Sequence, residues 1–147
     1  MDTLKINAMI LALECGALSK DAAVEWADEL ILKQDEPDEA LFDISVSKNV
    51  YDAISALKNF GHHPNKHEVT KEAFSLFYEA LKSDKATYER VTRQVYDMAF
   101  TEYLPNTDVS SQMMCFWDEL HDAKLGIYGD TNEVKSEFLR FLRQNGS

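Results

Sequence analysis

Apolar residues recur along this chain at spacings of three and four, the period of one helix face. The densest run is KINAMILALE, residues 5–14, which leaves almost no polar side and predicts a first helix buried all round. Asp2 or Thr3 stands where it can cap that helix, and Gly16 where it can stop it. Ser19 can cap a second helix, SKDAAVEWADELILKQ, whose buried stripe is Ala23, Trp26, Ala27, Leu30 and Ile31. Pro37 breaks the pattern and suits the first position of a third helix, with Asp38 and Glu39 beside its positive end. Ala40, Leu41, Ile44 and Val46 are expected to face inward from it.

The same spacing predicts a fourth helix over residues 48–60, with Val50, Ile54 and Leu57 on one side, Tyr51 beside them and Gly61 at the end. HHPNKHE reads as a polar loop, so the fifth helix should start at Thr70 or a near neighbour. It carries Ala73, Phe74, Phe77, Tyr78 and Leu81 and is interrupted at Ser83 and Asp84. A sixth helix over 85–103 brings Tyr88, Val91, Val95, Met98 and Ala99 together, before a loop at Pro105 and Asn106. Asp108 can cap a seventh helix containing Met113, Phe116, Trp117 and Leu120. After a turn at Gly126–Gly129, a last helix over 131–144 uses Val134, Phe138, Leu139, Phe141 and Leu142. The fold class is therefore all-α: one domain over 1–147 with six to eight helices, packed as a bundle or as stacked hairpins.

Composition adds that such a domain can stand alone. A chain of 147 residues buries about 68–70% of its unfolded surface, enough to dispense with disulfide or metal staples. Five Gly and three Pro supply too few tight turns for an all-β alternative. Cys15 and Cys115 lie a hundred residues apart on apolar helix faces, which predicts buried free thiols rather than a disulfide framework or zinc site. The apolar run Ala8–Leu13 is short, and Glu14 sits where a signal cleavage site needs a small residue. With no stretch near the ~20 apolar residues of a membrane span, a cytoplasmic location without membrane contact is expected.

Charge narrows the partners. The formal net charge of −11 disfavours direct nucleic-acid binding, because a phosphate backbone is repelled. The charge is also uneven: residues 1–47 hold eleven acids and three bases, residues 48–147 fifteen and twelve. In DELILKQDEPDEALFD, residues 28–43, seven acids face only Lys33. Some of these acids serve helix starts, and a solvated face explains the rest as readily as a surface for a cationic partner does.

Catalytic and metal chemistry find little support. His62, His63 and His67 are close in sequence, but Pro64 breaks the helix that would align them and the HExxH arrangement is absent. WDELHDAK, residues 117–124, sets Asp118 and Asp122 one turn apart without a convergent partner from another element. No GxSxG elbow and no phosphate-cradling glycine pattern occurs. The expectation is a binding protein rather than an enzyme, with no cofactor and no metal.

Two stretches resemble a known group. WADELILKQDEPDEALFDISVS is similar to the N-terminal segment of small helical bacterial proteins in which a helix ending near "DEPP" leads into one like "LIDLSLS". YGDTNEVKSEFLRFL resembles that group's C-terminal helix, ending in "EFLxFL". The likeness covers residues 4–60 and 125–142, with Asp38 replacing the second proline. These proteins look like immunity proteins of contact-dependent and other polymorphic toxin systems. The resemblance implies a stoichiometric inhibitor, monomeric in a 1:1 complex with a cognate toxin domain. Such toxins are often nucleases with a cationic cleft, which an acidic face can occupy. The expected partner-binding residues are Asp35, Glu36, Asp38, Glu39 and Asp43, with Asp118, Glu119 and Asp122 as a second patch. A helical adaptor or secretion chaperone that binds a basic or amphipathic segment is the alternative reading.

Overall fold

The computed structural model describes residues 2–101, 107–127 and 129–147, with residues 107 and 108 as backbone. Among them the chain forms eight helices and no strand: α1 Thr3–Glu14, α2 Lys20–Lys33, α3 Glu39–Ser45, α4 Val50–Lys58, α5 Lys66–Lys82, α6 Tyr88–Met98, α7 Thr107–Lys124 and α8 Thr131–Asn145. The fold is all-helical, as the spacing predicts.

The continuous apolarity of α1 has a packing reason. Ile6, Met9, Ile10 and Leu13 enter a core built with α2, α3 and α4. Ala8, Leu11, Ala12 and Cys15 enter a second core built with α5, α6, α7 and α8. A helix with a core on each side has no face left for water, so amphipathic spacing disappears from its sequence. On one side α4 packs on α1, and the α2–α3 hairpin packs on α4. On the other, α5 packs on α1, α8 on α5, and α7 between α8 and α6. Phe74, Phe77 and Phe138 are fully buried in this larger core, with Phe116 and Phe141 rings 5.2 Å apart. The one buried polar residue of α1, Asn7, donates to the carbonyls of Thr3 and Gly61 and so fastens α1 to the end of α4.

Helix starts are fixed by side-chain acceptors, and several differ from the pattern-based boundaries. Asp2 accepts from the Lys5 amide, Ser19 from Ala22 and Asp130 from Asn132. Asp38, not Pro37, governs the third helix: its carboxylate accepts from the Ala40 amide and Pro37 stays outside. Asn65 caps α5, accepting from His67 and Glu68, so Thr70 lies one turn inside the helix. Thr87 caps α6, and α7 already includes Asp108 rather than being capped by it. The expected end of the sixth helix at Tyr103 and the loop at Pro105 and Asn106 fall outside the described residues. Cys15 is buried but Cys115 is exposed, against the expectation of two buried thiols.

Candidate functional site

The sixteen-residue acidic stretch folds into the α2–α3 hairpin and its connection. α2 turns its small residues Ala23 and Ala27 fully inward, with Trp26, Leu30 and Ile31 packed at the edge of the core. α3 is anchored in the core by Leu41 and Ile44, both completely buried. Most of the connection between those anchors is exposed, with Pro37 and Ala40 half-buried. Asp35, Glu36, Asp38, Glu39 and Asp43 are all exposed. None of the five forms an ion pair with a described base. The Asp38 carboxylate is committed to its cap, whereas the other four have no such structural duty.

The hairpin also exposes apolar side chains that the acid count does not reveal. Leu32 is 86% exposed, Phe42 47% and Val46 72%. Val46 was expected to face inward, but α3 ends at Ser45 and Val46 forms its C-cap, beyond the buried stripe. Their arrangement follows from one contact. The Ser45 hydroxyl donates to the Asp28 carboxylate and joins the outer faces of the two helices. One turn nearer the connecting loop, Leu32 follows Asp28 on α2 and Phe42 precedes Ser45 on α3, so both lie on the same side of the hairpin. The surface is thus an apolar strip rimmed by carboxylates. Leaving a Leu or Phe in water forgoes about 1.5–3 kcal/mol of burial, a cost a folded chain retains readily where a partner covers it.

The second acidic group lies in the other half of the molecule. Asp118, Glu119 and Asp122 project from α7, which packs on α6 and α8, so they do not extend the hairpin surface. Asp118 is exposed, while Glu119 and Asp122 are half-buried. Burial pushes the Glu119 carboxyl above its ordinary value, and the neighbouring Glu137 on α8 pushes it the same way. On the same helix Trp117 is partly covered: the Tyr96 ring lies 5.0 Å away and the Arg93 guanidinium stacks at 4.4 Å. α7 therefore has its aromatic side occupied, unlike the hairpin.

The histidine segment serves local structure. His63 bridges α1 and α5, its Nδ1 3.0 Å from the Thr3 hydroxyl and its Nε2 3.1 Å from a Glu68 carboxylate oxygen. Among the described residues no three His, Cys, Asp or Glu side chains gather as metal ligands. Nor is any described helix long and apolar enough to cross a membrane.

A cluster of opposite charge also appears, unsignalled by the sequence. Lys20, Lys58 and Arg90, from α2, α4 and α6, surround a cavity of about 740 Å³ at the end of α1. Arg90 is held there by its bond to the Glu14 carbonyl and by Gly16, where an added Cβ would lie 2.5 Å from its Nη1. Comparison of the chain with family models, with curated proteins and with solved structures finds no match.

Proposed function

We propose that this chain is an immunity protein that binds and neutralises a cognate toxin domain, with the outer face of the α2–α3 hairpin as its contact. The observation that carries this reading is the strip of Leu32 and Phe42 set among exposed carboxylates that form no ion pair among the described residues. An apolar centre with a charged rim is the anatomy of a protein interface, and the sign of the rim selects a basic partner. A nuclease fits that description, because its own cleft must attract phosphate. The resemblance of residues 4–60 and 125–142 to immunity proteins supports the class, and the exposed strip supports the hairpin as the contact. The function is inhibition by occupancy, without catalysis, in a 1:1 complex.

The same strip favours a second reading: a helical adaptor that captures a basic amphipathic segment of another protein. The two differ in what they need from the partner. An inhibitor of a folded toxin should lose its target when that domain is unfolded, whereas an adaptor should hold an isolated peptide.

The test is a titration against the toxin domain encoded by the adjacent gene, at low and high salt. Tight binding that weakens with salt is expected. The triple variant Asp35→Lys, Glu36→Lys, Glu39→Lys should weaken it about tenfold or more while the helical signal is retained. Unchanged affinity in that variant removes the hairpin from the interface. The parallel set Asp118→Lys, Glu119→Lys, Asp122→Lys should then carry the loss if α7 makes the contact. Affinity for a short basic peptide equal to that for the folded domain would replace immunity with the adaptor reading.

A further inference from the structure

The cavity at the end of α1 stands against the charge of the rest of the molecule. The chain carries a net charge of −11, yet among the described residues Glu14 is the only acid lining a space bordered by Lys20, Lys58 and Arg90. Three bases from separate helices do not converge in so acidic a protein through average composition. The floor is apolar, formed by Leu13, Leu18 and Ile54. Tyr51 stands at the rim, 80% exposed. Its volume of about 740 Å³ lies within the roughly 300–1,000 Å³ typical of small-ligand sites.

The backbone adds to the same field. The start of α2, at Ser19 and Lys20, and the start of α4, at Asn49 and Val50, both border this cavity. Ser19 and Asn49 accept the amides of Ala22 and Asp52, and Asp21 and Asp52 stand in the first turns, so these helix ends add only what positive field those groups leave. Partial burial pushes the Glu14 carboxyl above its ordinary value, against Lys58 and Gln94, which draw it down. Lys20 also pairs with Asp21 at 2.8 Å; Asp21 is highly exposed and lies outside the lining, so an anion in the cavity would compete with this solvent-screened pair for Lys20.

We propose that this cavity binds an anionic amphiphile: a carboxylate held by Lys20, Lys58 and Arg90, with a medium-length apolar tail against Leu13, Leu18 and Ile54. The site is independent of the toxin-binding reading, since it lies at the end of α1 and uses none of the hairpin acids. A carboxylate head suits the flat guanidinium of Arg90 and the flexible lysines, and the tail displaces water from the apolar floor.

The probe is octanoate, added below its micelle concentration and followed through the backbone amide resonances of the isotopically labelled protein. Saturable shifts are expected at Leu18, Lys20, Val50, Tyr51 and Ile54. Acetate, which lacks the tail, and octyltrimethylammonium, which reverses the head, should each bind at least tenfold more weakly. Lys20→Glu places an acid in a first helical turn, where the dipole tolerates it, and should weaken octanoate about tenfold. Lys58→Gln provides a second variant of lower structural risk, with the same expected direction. No saturable shift, shifts centred on Leu32 and Phe42 instead, or equal binding of the cationic amphiphile would each overturn the proposal.

Discussion

At the scale of single residues, burial decides which groups are chemically available. Cys15 is 3% exposed, and burial pushes its thiol up to about 12, so it stays protonated at neutral and mildly alkaline pH. Cys115 is exposed. Alkylation of the native protein at mildly alkaline pH should therefore add one group, at Cys115, and two only in denaturant, as read by intact mass. Glu119 gives a pH-dependent counterpart. Its carboxyl is raised in the folded state by burial and by Glu137, so the fold prefers it protonated. Above the raised value its ionised form opposes folding; below the unfolded value both states are protonated and the penalty vanishes. Glu119→Gln should accordingly stabilise the protein at neutral pH, and its advantage should shrink as pH falls through the acidic range. An advantage independent of pH would mean that the amide gains by some other contact.

At the scale of elements, the short helix α3 shows how charge and structure can be separated. Asp38 is both a member of the acidic rim and the cap of a seven-residue helix. Asp38→Ala should cost about 1 kcal/mol of stability by denaturant unfolding, and Asp38→Asn little, since Asn keeps the cap acceptor. If Asp38 also meets a basic partner, both variants should weaken binding; if it only caps, neither should. The elements themselves were legible in the sequence because each long helix has a clean stripe, from Val91, Val95 and Met98 on α6 to Val134, Phe138 and Phe141 on α8. The starts were less so. The first turn of α5 is polar, so the stripe begins a turn after Asn65 has set the cap, and Pro64 disguises the boundary as loop. The acids of the hairpin could be counted directly. Val46 is expected inward but lies exposed, and Phe42, exposed one turn before it, is not singled out, because spacing at three and four cannot tell a core face from an exposed one. The cationic cavity was hidden altogether, since Lys20, Lys58 and Arg90 meet only once three helices have packed.

At the scale of the whole molecule, α1 makes two cores depend on one helix. Leu13, 1% exposed, closes the smaller core, while Leu11 and Ala12 close the larger. Neither half can retain its interior once α1 leaves. Trp26 belongs to the first half and Trp117 to the second, so each can report separately. In the single-tryptophan variants Trp117→Phe and Trp26→Phe, fluorescence unfolding curves should show both halves melting in one transition. Leu13→Ala should lower that shared transition by about 2–5 kcal/mol, although the side chain touches only the smaller core. Two separated curves would show that the halves fold independently.

The shape of α3 carries a consequence for how such a protein changes over time. Two of its side chains, Leu41 and Ile44, hold it to the core, Ser45 bonds Asp28 on α2, and Glu39, Phe42 and Asp43 face solvent. On the proposed reading, in which that outer side meets a toxin, substitutions there would alter what is recognised while leaving the foldable body as it was. Specificity would then drift in steps that each remain folded, without passing through an unstable ancestor.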